Sequence, residues 1–139
     1  MHKKSKDRLN WEIALAAGID ATATGTFALS HVWYEDYMKD WQMVMLGGLS
    51  VVSGAGCGYF QHYLKKQWLK PEDNFWKKTL KKGAVGVAAG IIYELTMISG
   101  YVCASRDWPH NGDYMARDFV YLFMIKAGCL GHLLTSVVF

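Results

Sequence analysis

LKKQWLKPEDNFWKKTLKK, residues 64–82, divides the chain into two halves of like character. Its seven lysines (Lys65, Lys66, Lys70, Lys77, Lys78, Lys81, Lys82) surround the turn Pro71-Glu72-Asp73-Asn74, and a stretch this basic belongs in water. The runs on either side are apolar. About 20 residues cross a hydrocarbon core of about 30 Å, and four segments reach that length: 11–34, 41–64, 83–105 and 119–139. The pattern predicts an all-α integral membrane four-helix bundle. It forms one transmembrane domain over 1–139, made of two helical hairpins joined by the hinge 65–82.

The totals agree once charge is located. The chain is 52% hydrophobic and 14% aromatic, with six Trp and fourteen Gly, a style typical of bilayer helices. A mean hydropathy of +0.04 is low for such a protein because the charge is packed into the N-terminus and the loops. A net charge of +3 without basic patches interleaved with stacking aromatics argues against a nucleic-acid partner. Cys57, Cys103 and Cys129 form no CxxC pair, so neither a disulfide framework nor a zinc finger is indicated. MHKKSKDR resembles the basic region of a signal peptide, but the following apolar stretch is too long and lacks a cleavage site.

Lysine and arginine set the orientation. Four lie in the N-terminal tail and seven in the hinge, against three (Lys39, Arg106, Arg117) in the other two loops. This asymmetry places both termini and the hinge in the cytoplasm, with the cell membrane as the location. Two short matches, AAGI at 16–19 and 88–91 and AGC at 55–57 and 127–129, share an offset of 72, the trace of a duplicated hairpin.

Each span carries a ridge of small residues that lets a neighbour's backbone approach. The ridges are Ala17, Ala21 and Gly25; Gly54 and Gly58; Gly86 and Gly90; Ala127 and Gly131. A bundle this small cannot hide four ridges internally, so some can dock a partner subunit.

Charges also occur at depth. Counting about 1.5 Å per residue puts Asp20, Glu94 and Lys126 in the middle of the bilayer. Each is costly alone in hydrocarbon, so the expectation is that they face the bundle interior and pair. Asp20 with His132, and Glu94 with Lys126, is the economical arrangement. Asp20, Thr24, Phe27 and His31 form one semi-polar stripe on the first helix. Three readings remain: a fixed ion pair that selects helix register, a proton or ion path, or a pairing of Asp20 or Glu94 with a basic residue on a partner. No proline interrupts a span, which favours the fixed pair over a transporter's broken helix. Cys129 and His132, and the wider pair Cys57 and His62, have the residue types for a soft metal or haem. Small buried cysteines explain them as well, and the expectation is that this chain binds no metal or other cofactor. Asp107, His110 and Asp113 in the outer loop are read as solvating it.

LNWEIALAAGIDATATGTFALSHVWYEDYMKDWQ, residues 9–42, resembles the small multi-helix accessory subunit of the copper membrane monooxygenase of ammonia-oxidising archaea. The likeness is one of length, span number and Trp/Tyr/Met-rich style. It implies a non-catalytic component of an ammonia-oxidising complex, with copper held by other subunits. The expected partners are therefore other integral membrane subunits in a hetero-oligomer, and lipids. The alternative is a small homo-oligomeric proton- or ion-coupled transporter or channel using the mid-membrane charges.

Overall fold

The computed structural model describes the backbone of residues 2–33, 39–105 and 115–139, and the side chains of 6–27, 39–104 and 121–139. Among the described residues four α-helices make up the fold: α1 (His2–Trp33), α2 (Asp40–Trp68), α3 (Phe75–Ser105) and α4 (Met115–Val138). Helix α1 packs on α2, and α3 on α4, as two hairpins. Across the hairpins α2 meets α3 and α1 meets α4, so α1 and α3 occupy opposite corners. Among the described residues, α2, α3 and α4 are long and apolar enough to cross a membrane. Helix α1 does not join them over its described residues, since it carries Glu12, Asp20 and Thr22, Thr24 and Thr26. The side chain of His31, and the loop residues Asp107, His110 and Asp113, lie outside the described residues.

The hinge is shorter than the sequence pattern predicts. Helices α2 and α3 run on through most of its lysines and leave only residues 69–74 between them. Lysine is a good helix former, and Lys65 and Lys66 sit in the last turn of α2, where a cation offsets the helix dipole. What stops the helices is local. Pro71 supplies no N–H, and Asn74 caps α3 by accepting a hydrogen bond from the Lys77 N–H at 2.8 Å.

Asp73 organises this turn. Its carboxylate accepts from the Lys81 ammonium and from the Lys70 N–H at 3.1 Å, and faces Lys77 Nζ at 3.2 Å. The Lys81 hydrogen bond first, then the Lys70 N–H, hold its carboxyl well below the usual range. A carboxyl depressed on folding stabilises the fold above its ordinary value of about 3.9. That contribution is lost as pH falls through the lower folded value. Acidification below about pH 4 should therefore loosen the α2–α3 turn. The fluorescence of Trp68 and Trp76, which flank it, should report the change, and Asp73→Asn should abolish the acid-dependent step.

Small residues draw each hairpin together. A Cβ on Gly54 or Gly58 of α2 would lie 3.1 Å from the Ala16 carbonyl oxygen or 2.9 Å from that of Glu12. Gly86 and Gly90 of α3 face α4 in the same way, with Leu133 Cα 2.8 Å and Cys129 Cα 3.4 Å from a Cβ added there. Gly131 of α4 receives Ile19 of α1. The ridge expected on α1 divides: Ala17 is half-buried, whereas Ala21 and Gly25 face outward, as does Ala127 of α4. The offset-72 matches are also not equivalent in packing, since Gly18 is exposed where Gly90 is buried.

The end of the core away from the 69–74 turn is aromatic. Tyr101 and Tyr121 are fully buried with Phe27; Tyr121 stacks edge-on against Phe27 at 5.1 Å and donates to the Met97 carbonyl at 2.6 Å. Trp41, Trp68 and Trp76 are exposed at helix ends, the interfacial positions such rings favour, and Trp11 is exposed in the third turn of α1.

Candidate functional site

Residues from all four helices converge on one buried polar cluster. Glu12, Ala16, Asp20, Thr24 and Phe27 recur at spacings of four, four, four and three on α1, and all are buried. This stripe lies against α2 and α4. Asp20, 0% exposed, has its Oδ2 at 3.0 Å from His132 Nε2 on α4, itself 1% exposed. Tyr93 of α3 lays its ring 5.2 Å from the imidazole. Ser50 of α2 donates to the Asp20 carbonyl at 3.0 Å and lies 3.3 Å from the Tyr93 hydroxyl. Gln61, also on α2, donates to the His132 carbonyl at 2.9 Å. Two glycines make room for the carboxylate: a Cβ on Gly54 would collide with Asp20 Oδ2, and one on Gly128 would fall 3.0 Å from Oδ1.

Chemically the couple is a carboxyl and an imidazole within hydrogen-bond distance, held away from water. Charged or neutral, its two members compensate one another, which lowers the cost of burying them. Asp20 Oδ1, His132 Nδ1 and Gln61 Oε1 have no hydrogen-bond partner among the described residues.

A second buried acid lies two turns before Asp20, toward the α1 N-terminus. Glu12 is 1% exposed, with Lys65 Nζ at 3.0 Å, Arg8 Nε at 3.4 Å and His62 Nδ1 at 3.5 Å. Sequence reasoning missed it by starting the polar stripe at Asp20. The signal was present, since Arg8, Glu12, Ala16 and Asp20 share the i, i+4 spacing that lines one helix face. This cluster ties α1 to the end of α2.

Glu94 and Lys126 pair across α3 and α4. They do not face the interior, as the cost of charge in hydrocarbon had suggested; Lys126 is 64% exposed and Glu94 27%. Helix geometry gives the reason. Lys126 and His132 are six residues apart on one helix, about 240° of rotation, so with His132 turned inward Lys126 must point away.

The sulfur and imidazole groups do not converge. Cys129 Sγ donates to the Gly90 carbonyl at 3.1 Å on the α3 side, while His132 is turned to Asp20 on α1. Cys57 Sγ donates to the Ala89 carbonyl at 3.4 Å, and His62 faces Glu12. These residues do not fit a shared copper or haem. No group of three or more His, Cys, Asp or Glu side chains is arranged for a metal ion among the described residues.

Fold and site together define a helical membrane-protein bundle pinned by a buried acid–histidine couple. Comparison with protein-family models, with curated proteins and with solved structures gives no match.

Proposed function

We propose that the chain is a non-catalytic structural subunit of a larger membrane complex. One observation carries the reading: the Glu94–Lys126 pair lies on the outer surface, near the middle of α3 and α4. Lipid tails satisfy neither an ammonium nor a carboxylate, so charges at that depth call for a protein neighbour. The outward Ala21 and Gly25 on α1 offer a second face on which another helix can seat closely. The likeness of residues 9–42 to the accessory subunit of an archaeal ammonia-oxidising copper monooxygenase extends the proposal to a complex of that kind. Copper and catalysis then reside in other subunits, and this chain lies in the cell membrane with both termini cytoplasmic.

Native gel electrophoresis of mildly solubilised source membranes, with mass spectrometry of the band, tests the proposal. It expects a large band with fixed, different partners; migration alone or only with copies of itself overturns it. One observation favours a second reading, a proton- or ion-coupled carrier: Asp20 Oδ1 and His132 Nδ1 are buried without partners among the described residues. Under that reading Asp20→Asn or Glu94→Gln abolishes flux in proteoliposomes and leaves assembly intact. Under the structural reading the same changes weaken assembly, and loss of complex activity tracks loss of the subunit.

A further inference from the structure

The outer α3/α4 face carries unused polar capacity. The Lys126 ammonium has three N–H donors, and Glu94 Oε1 takes one of them. Glu94 Oε2 has only Cys129 Sγ, at 3.9 Å, among the described residues. Beside the pair runs a groove of about 270 Å³ whose floor is Gly90 and Cys129 and whose sides are Val87, Ile91 and Leu130. On α4, Phe123, Lys126, Leu130 and Leu134 follow one another at spacings of three, four and four, and all are exposed. The face is thus an apolar surface with one charged pair set into it. Whatever covers it must bring an acceptor to Lys126 and a donor to Glu94 at one depth. It must also add no net charge, because a lone ion brought to a neutral pair would stay uncompensated in hydrocarbon.

We infer that a second copy of this chain covers the face, related by a twofold axis along the membrane normal. Helices α3 and α4 run antiparallel side by side, since Gly86 meets Leu133 and Ser136, Gly90 meets Cys129, and Glu94 meets Lys126. A twofold rotation about an axis parallel to them preserves depth and sets α3 of each copy opposite α4 of the other. Glu94 of each chain then faces Lys126 of its mate. The four groups alternate in sign around a closed, neutral ring, so symmetry alone supplies the matched donor and acceptor. Exposed Leu130 is the knob presented to the mate's Gly90-floored groove, and small Ala127, exposed beside Lys126, allows close approach. The inference deepens the reading of the chain as part of an assembly and names the occupant of this one face.

The test exchanges the charges within one chain, Glu94→Lys with Lys126→Glu, which keeps the local pair and hence the fold. The wild type and the exchanged chain, carrying tags of different mass, are reconstituted in lipid nanodiscs separately and together and read by native mass spectrometry. Each should dimerise with itself. Mixed dimers should be lost, because like charges meet across a mixed interface. Leu130→Trp should give a folded monomer, since the substituted side chain is already 56% exposed. A monomeric wild type, free mixing of the two chains, or undiminished dimerisation of the Leu130→Trp chain overturns the inference; a different subunit or lipid then covers the face. Its failure and that of the proposed function are separable. A native-gel band with different partners and one copy of this chain refutes only the pairing, and a band of this chain's dimer alone refutes only the larger complex.

Discussion

His132→Ala is expected to destabilise the bundle by about 3 kcal/mol or more, because a buried carboxyl left without its hydrogen-bond partner costs about 1–3 kcal/mol and the cavity left by the ring adds to that. Asp20 has no exposure, and its carboxylate has a single side-chain partner among the described residues, His132 Nε2 at 3.0 Å. Ser50 and Thr24 do not replace it, because both donate to the Asp20 backbone carbonyl rather than to the carboxylate. The truncation also removes the ring that packs against Tyr93 at 5.2 Å, which leaves a void among α1, α3 and α4.

The paired comparison makes the argument testable. In the double variant Asp20→Asn with His132→Gln, neutral groups of similar size can hydrogen-bond one another, and the loss should shrink to about 1 kcal/mol or less, because a matched replacement leaves no orphaned buried polar group. Unfolding midpoints in mixed micelles, read by helical circular dichroism across an SDS titration, provide the measurement. Additive losses from Asp20→Asn and His132→Gln measured singly would show that the two side chains act independently. The account of the couple as a pin would then be wrong.

How far this arrangement could be read from residues alone depended on whether helix rotation was involved. Two hairpins around the lysine-rich stretch were legible because charge density and apolar length speak directly to depth. Depth counting also put Asp20 level with His132 and Glu94 level with Lys126, and those side chains meet. Direction was harder. Small residues spaced four apart state that something can come close, not what, so Gly54 and Gly58 face α1 while Ala21 and Gly25 face away. The outward turn of Lys126 follows only once His132 points inward, and spacing on α4 fixes the angle between the two without saying which of them is buried. Glu12 was obscured because its partners Lys65 and His62 come from another helix, and because the polar stripe on α1 was started at Asp20. Tyr93, Tyr101 and Tyr121 were unreadable as core because an amphipathic ring suits the membrane interface equally well. Helix ends were misjudged because lysine marks water yet tolerates helix, so only Pro71 and the Asn74 cap mark the actual stops.

Gly58→Ala should cost about 1–3 kcal/mol, the range for forcing a methyl group into a closed contact, and Gly58→Leu should prevent the first hairpin from closing. The added Cβ would meet Glu12 O and Ile13 Cα, both at 2.9 Å, and Ala16 Cβ at 3.1 Å. Two of those three atoms are backbone, which cannot rotate away, so α1 and α2 must separate. Separation also acts on the Glu12 cluster: Lys65 reaches Glu12 across this seam at 3.0 Å, and widening it leaves a buried carboxylate with a weaker partner. The other glycines of the bundle serve as internal controls, because alanine is favoured over glycine in a helix by about 1 kcal/mol. Gly56 has nothing within 4 Å of an added Cβ and should gain that amount, while Gly90, whose nearest neighbour would lie at 3.4 Å, should change little. The order Gly56, Gly90, Gly58 is the discriminating result in the same SDS titration. If Gly58→Ala proves as benign as Gly56→Ala, the α1/α2 seam is loose enough to accept a methyl group. Close backbone contact is then not what holds the first hairpin together, and the Glu12 and Asp20 clusters must supply the closure on their own.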